Sequence, residues 1–519
     1  MLARNVATVG SGTLFSRVLA FARDAGIAAW LGAGPVSEAF FAMQQVINFF
    51  RRLLADGALN GAFVPIWRKL RDGEDGQAQD GQAHADRFTR RGLLAMLCVT
   101  GIIALAVIVA APWLVRIIAP GFDHARSVLT AVLLTLAVPY IVLAGLVAVI
   151  AGALNAEGRV GAVTVSTVMF NVVMLAAVAI AIDLRIVDFD FTLVLTGAIV
   201  AAGFVQLLVT ILAWLATGKR WQRAHSRVPD QTRALFTRAM PSLVAAGIPQ
   251  LKLIAAAAIV SSSPAAVAWL YYANRLYELP LGVASVAIAA VIVPHIVVGL
   301  RAGDTAAAQS RAFEIALGLA LPAATGFAVL AQPIAAGLFE RGAFGPADTV
   351  AVAMALTAIC AGLPGHVLEK VFGAVSFAHE DTQTPMLAAL CGLATAIVGG
   401  VLAFPHFGYA GVAAAVGVSA WVGATILGIV LYRRGWLRLD NLAIKRLPRI
   451  ALATAVMGGL VGYGLHLGHS LLPAVPSIAA RLSLLFVLVI AGVVIYLGAL
   501  QLLGVARLRE LAAALRRAR

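Results

Sequence analysis

The chain has 519 residues, 61% of them hydrophobic and only 12% charged, with a formal net charge of +15. This balance excludes an ordinary soluble enzyme and places the chain in the membrane class, with the bilayer as its solvent. Lys and Arg collect between apolar stretches, as positive-inside loops require, and that excludes nucleic acid as the partner.

Apolar runs of about 20 residues, separated by polar or Gly/Pro clusters, predict an all-α polytopic membrane protein. About 14 transmembrane helices are expected, near 5–31, 36–67, 92–118, 127–155, 160–182, 191–217, 235–261, 265–300, 310–331, 347–377, 384–403, 409–432, 448–469 and 480–504. The first is too long, and too charged at Arg17 and Arg23, for a cleaved signal peptide, so it is expected to stay as a helix.

The first two helices pose the central problem. They carry Arg17, Arg23, Asp24, Glu38, Arg51, Arg52 and Asp56 inside apolar sequence. A charge facing lipid costs at least about 2.5 to 3.5 kcal/mol, so these side chains must line something wet. On a straight helix Glu38, Gln45, Asn48, Arg52 and Asp56 share one face, and Arg17 and Asp24 share another. Pairing of Arg52 with Asp56 at i, i+4 is the simpler account of some of them. It leaves an arginine surplus, for which an anionic ligand is the simplest partner.

Orientation follows from the breaks. One alternate set holds Arg68, Lys69, Arg71, Arg87, Arg90 and Arg91, then Arg159, then Lys219 to Arg233, then Arg433 to Arg446, then the tail. The other holds only Arg116, Arg126, Arg185, Arg341 and Arg481. Both termini are therefore expected on the cytoplasmic side. Asp72 to Ala85, rich in Gly, Gln and Asp, reads as a flexible cytoplasmic loop. The tail Val505 to Arg519 reads either as a basic amphipathic helix on anionic headgroups or as the positive end of the last span. Cys98, Cys360 and Cys391 lack metal spacing and read as small core residues.

Three weak matches recur in the same order in both halves. Pro112 and Pro333 each precede a glycine, Gly121 and Gly342, by the same interval; Glu38-Ala-Phe-Phe resembles Val267-Ala-Trp-Leu; and Val64-Pro65 has a counterpart in Val293-Pro294. They imply two six-helix lobes related by an internal repeat, plus two C-terminal helices. The expected domains are residues 1–217, 218–446 and 447–519, the last comprising helices 13 and 14 with the basic tail. In the second lobe Tyr271 and Arg275 are i, i+4 and Glu278 follows, so an arginine again lies on a helix face inside an apolar span. Lys252 and Lys370 add intramembrane cations that either line a cavity or snorkel. If the lobes face one another, Arg17, Arg23, Arg51 or Arg52, and Arg275 converge on one central cavity.

Arginine in place of lysine is informative, because its planar fork gives paired hydrogen bonds to phosphate and keeps its charge. A membrane glycosyltransferase or phosphatase would need paired acids or a His/Asp set with metal spacing. His466 and His469 form the only close histidine pair and have no acid near them, so neither metal nor cofactor is expected.

Phe15-Ser-Arg-Val-Leu-Ala-Phe-Ala-Arg-Asp24, Gly32-Ala-Gly with Glu38-Ala-Phe-Phe, Asn48-Phe-Phe-Arg-Arg-Leu-Leu-Ala-Asp-Gly-Ala58, Ala62-Phe-Val-Pro65, Ala119-Pro-Gly-Phe122, Trp269-Leu-Tyr-Tyr-Ala-Asn-Arg-Leu276 and the Lys370 to Pro385 region resemble the MurJ (MviN) family of lipid II flippases. The resemblance runs nearly end to end. It implies a member of the multidrug/oligosaccharidyl-lipid/polysaccharide exporter superfamily in the bacterial cytoplasmic (inner) membrane. Such a transporter moves undecaprenyl-pyrophosphate-linked peptidoglycan precursor to the periplasmic leaflet by alternating access, with helices 13 and 14 forming a groove for the lipid tail. The family's cavity arginines correspond to Arg17, Arg23, Arg51 and Arg275, with Ser16, Asp24 and Asn48 beside them; the helical wheel favours Arg52, and both Arg51 and Arg52 are carried. Glu38, Asp56, Tyr271 and Glu278 are expected to support the cavity. Ala20, Glu38, Ile47 and Asn274 depart from the family's common residues, and Asn274 removes an acid that would pair with Arg275. The implied partners are lipid II, membrane lipids and the cell-wall synthesis machinery, while nothing in the chain specifies a coupling ion. The rival readings are a flippase for another polyprenyl-pyrophosphate-linked glycan and, against the arginine surplus, a cation-coupled drug exporter.

Overall fold

The computed structural model describes residues 2–55, 58–72, 81–217, 232–288, 305–471 and 478–505, with positions 292, 294 and 296. Among these, every regular element is a helix. The reason is physical: hydrocarbon offers no hydrogen bonds, so long apolar segments must satisfy their backbone internally. Among the described residues the predicted spans fall on helices, 384–403 and 409–432 sharing one long helix, and nine helical segments are long and apolar enough to cross a membrane. The chain is an all-α polytopic membrane protein. It divides into two compact units, Met1–Val267 and Ala268–Arg519.

The first unit contains α1 (Leu2–Leu31), α2 (Pro35–Ala55), α3 (Ala58–Asp72), α4 (Gly81–Ile118), α5 (His124–Ala137), α6 (Pro139–Ala156), α7 (Val160–Asp183), α8 (Asp188–Leu215) and α9 (Thr232–Val260). Its centre is α6, buried along nearly its whole length against α3, α4 and α8. Small residues permit this closeness: a methyl on Gly145 would fall 2.7 Å from the Thr100 side chain. Phe63, Trp67, Phe88, Met96, Val149 and Leu154 form one buried cluster of the unit. The Trp67 indole N–H donates to Thr89 Oγ1 at 3.1 Å, so the large ring is buried without an orphaned donor. Outward, α4 shows Ile102, Leu105, Val109, Trp113 and Ile117, a surface suited to lipid tails. On another side α1 packs along α7, and α7 along α8.

The second unit contains α10 (Ala266–Ala287, from Ala268 onward), α11 (Thr305–Val329), α12 (Ala331–Phe339), α13 (Pro346–Cys360), α14 (Leu363–Ala378), α15 (Gln383–Arg433), α16 (Asn441–Leu471) and α17 (Ile478–Leu502). Helices α13 and α14 form one broken span and are the buried centre, packed on α11 and α15. At the break, Gly362 lies so close to α15 that a methyl would fall 2.4 Å from Gly417 Cα. Helix α15 is two helices joined at Gly408, whose φ of 55° suits a residue without Cβ. Tyr272, Phe339 and Phe344 make an aromatic cluster beside α12. Helix α16 packs on α11 and α17.

Several expectations change. Helix α4 begins at Gly81, so the loop expected to run to Ala85 is already helical over its last five residues. The short helix α12 was not among the predicted spans, because nine residues are too few for the length criterion. Cys98 and Cys391 lie on exposed helix faces, and only Cys360 belongs to the core. Asp56, the rest of the Asp72 to Ala85 loop (73–80), the basic loop 218–231 and the tail from residue 506 lie outside the described residues.

Candidate functional site

In the first unit, the charges of α1 gather into one buried group. Arg23 and Asp24 are 4% and 1% exposed, and the guanidinium donates to Asp24 Oδ1 from Nε at 2.9 Å and from Nη2 at 2.7 Å. Its Nη1 donates to Asn171 Oδ1 of α7 at 3.4 Å, and Asn171 Nδ2 donates to Ser16 Oγ at 2.8 Å. Ser16, Arg23 and Asp24 are thus brought together, as their sequence positions lead one to expect, and Asn171 is the residue that joins them. Arg17, one residue from Ser16 on the same helix, is half-buried.

Helix α2 divides its polar residues between two ends. Near its C-terminus Asn48, Arg51 and Arg52 are half-buried, and Arg51 Nε donates to Asn48 Oδ1 at 3.3 Å. Higher up, Gln44 and Gln45 are buried, and the Gln45 carbonyl accepts from Gln250 Nε2 of α9. Glu38, at the N-terminal end, belongs to a different group. Its carboxylate accepts from Arg126 Nη1 at 2.9 Å and from the Val267 backbone N–H at 3.3 Å, while Arg126 Nε also donates to Asp123 at 3.2 Å. The hydrogen bond from the Arg126 backbone N–H, aided by its charge, holds the exposed Asp123 carboxyl below the usual carboxylate range. Gly121 N–H donates to Ser261 Oγ in the same region. Glu38 therefore ties the start of α2 to the first turn of α5 and to Val267.

In the second unit Arg275 Nη1 donates to Glu278 Oε2 at 2.9 Å, and Asn274 Nδ2 donates to Glu278 Oε1 at 3.4 Å. The acid absent at position 274 is thus supplied one turn on, with Asn274 steadying it. Both members of the pair are roughly a quarter exposed, and Tyr271, one turn earlier, is buried. Lys370 Nζ of α14 donates to Ser285 Oγ of α10 at 2.7 Å, whereas Lys252 is buried in α9. His466 lies on an exposed face, and no group of acids, histidines and cysteines suited to a metal exists among the described residues.

Sequence reasoning passed over Asn171 and Arg126. Asn171 had a signal: it is the one amide in an otherwise apolar span, and a polar group at that depth needs a partner. Arg126 had none, since a single arginine expected between two spans is ordinary.

Arg17 and Arg23 of α1 and Arg51 and Arg52 of α2 stand in the first unit, with Arg23 paired to Asp24 and Arg51 hydrogen-bonded to Asn48. The family description "Lipid II flippase MurJ" matches residues 27–478. The chain belongs to the MurJ lipid II flippase family. This is a family of transporters, not of enzymes. A relative from Rhizobium meliloti, a probable lipid II flippase MurJ, is 36% identical over 466 residues, covering 88% of this chain and 85% of its own. The lipid II flippase MurJ of Burkholderia cenocepacia is 29% identical, covering 89% of each chain. Among solved structures, a lipid II flippase MurJ in an inward closed conformation superposes with a TM-score of 0.77 at 20% identity, covering 95% of this chain and 97% of that one. An inward-facing multidrug resistance MATE family transporter of the MOP superfamily gives 0.61 at 16% identity, covering 81% and 94%. At these identities the superpositions show a shared fold.

Proposed function

We propose that this chain flips lipid II, the undecaprenyl-pyrophosphate-linked peptidoglycan precursor, from the cytoplasmic to the periplasmic leaflet of the bacterial inner membrane. The observation that carries the reading is membership of the MurJ family combined with arginines, not lysines, set within apolar helices of both units. Arg17, Arg23, Arg51 and Arg52 in the first unit and Arg275 in the second are the pyrophosphate ligands in this reading. The polyprenyl tail needs no protein path, because it is soluble in the bilayer; only the polar head must be sheltered. Alternating access, with the polar path open to one face at a time, accomplishes that without exposing the head to hydrocarbon. Glu278 and Asp24 keep Arg275 and Arg23 in defined orientations before the anion arrives, so less entropy is lost on binding.

The distribution of Lys and Arg supports cytoplasmic N- and C-termini. No cofactor enters the proposed cycle, and the enzymes that make lipid II and polymerise it are its natural neighbours. Depletion tests the substrate. Growth arrest with accumulation of the lipid-linked peptidoglycan precursor is expected; loss of another surface polysaccharide with normal precursor levels would overturn the assignment.

A further inference from the structure

Asn171 lies near the middle of the 24-residue apolar helix α7 and is 8% exposed, as is Ser16, which it contacts. An amide buried at that depth costs several kcal/mol unless it is satisfied. Here both ends are used: Nδ2 donates to Ser16 Oγ and Oδ1 accepts from Arg23 Nη1. The amide orientation is therefore fixed from both sides, and with it one edge of the Arg23 guanidinium.

The rest of the guanidinium follows by its donor count. Nε–H and one Nη2–H go to Asp24 Oδ1, and one Nη1–H goes to Asn171. One N–H on each terminal nitrogen is then left over with no protein acceptor among the described residues, and phosphate oxygens can accept from both. Asp24 alone would let the guanidinium swing about its carboxylate. Asn171 supplies the second fixed point, from a different helix.

We propose that Asn171 is a positioning residue for substrate recognition: anchored by Ser16, it sets the orientation in which Arg23 presents its remaining N–H pair to a phosphate of the lipid-linked headgroup. The inference rests on the flippase reading and adds a residue to it. A purely structural tie between α1 and α7 is the alternative, and it predicts different behaviour. Asn171→Asp is isosteric and can still accept from Arg23 and from the Ser16 hydroxyl, so it keeps the tie. It also places a second carboxylate on Arg23, which offsets the charge meant for the ligand.

The test uses the purified full chain in nanodiscs, with fluorescent lipid II and a polyprenyl monophosphate as probes. Asn171→Asp, compared at equal amounts of folded protein, is expected to bind lipid II about 10-fold more weakly and to lose most of the preference for diphosphate over monophosphate. Wild-type affinity and preference in Asn171→Asp, alongside lost binding in Arg23→Ala, would overturn the positioning role and leave the flippase reading standing. Wild-type binding in both variants would remove Arg23 from the site and overturn both. If Asn171→Asp does not accumulate, Asn171→Gln displaces the amide by one methylene; weakened binding supports the inference and wild-type binding overturns it.

Discussion

Arg126 and Glu38, 88 residues apart in the chain, meet at 2.9 Å with the carboxylate only 1% exposed. Removing one member of such a pair leaves a buried charge without its counter-ion, which costs about 3 to 5 kcal/mol. Arg126→Ala is therefore expected to lower the melting temperature sharply. Glu38→Gln keeps an acceptor for Arg126, which is partly exposed and still paired with Asp123, and is expected to cost less. Thermal unfolding of the two variants in the same detergent checks the order, and equal or reversed losses would contradict the arrangement.

Arg275 is held by Glu278, and Glu278 by Asn274, so the guanidinium fork is aimed before any ligand binds. Arg275→Lys keeps the charge and loses the fork. It is expected to reduce lipid II translocation about 10-fold or more, with normal protein levels. Activity equal to wild type would show that charge alone suffices at this position.

Asp381, between α14 and α15, supplies a pH dependence of defined sign. Burial pushes its carboxyl up, but hydrogen bonds from the Thr384 hydroxyl and backbone N–H, together with Arg434, outweigh this and leave it below the usual carboxylate range. A carboxyl lowered in the folded state adds stability that is complete above its unfolded value, about 3.9, and is lost as pH falls through the lower folded value. The stability difference between wild type and Asp381→Asn is therefore expected to be constant from about pH 5 to 8 and to shrink below about pH 4. Melting curves across that range check it; a difference that changes near neutrality would contradict it.

Gly362 tests the packing of the broken span. A methyl there would meet Gly417 Cα at 2.4 Å and its carbonyl oxygen at 2.5 Å, both rigid backbone atoms. Gly362→Ala is expected to destabilise by about 1 to 3 kcal/mol, as overpacking does. Gly101→Ala, where nothing lies within 4 Å, serves as the control and is expected to be neutral or mildly favourable. Size-exclusion profiles after graded heating compare the two.

The helices were legible because bilayer thickness and backbone hydrogen bonding leave a long apolar run few alternatives, as α7 and α8 illustrate. The start of α4 was not, since Gly81 to Ala85 is polar and small and carries no apolar periodicity. At the site, the arginines were readable from their cost in lipid, and Arg275 with Glu278 from their helical spacing. The long-range pairings of Arg23 and Glu38 were beyond reach. Asn171 and Arg126 arrive from other helices, and sequence separations of 148 and 88 residues carry no local pattern.

The central claim is that arginines in the membrane helices carry a pyrophosphate-linked headgroup from one leaflet to the other. Its most direct measurement is translocation of fluorescent lipid II in vesicles reconstituted with the purified chain, comparing wild type with Arg23→Ala and Arg275→Ala. The account predicts that wild type moves the probe across, that each variant does so at least about 10-fold more slowly, and that all three reconstitute to equal density. Wild-type rates in both variants, or no translocation by the wild-type chain, would contradict it.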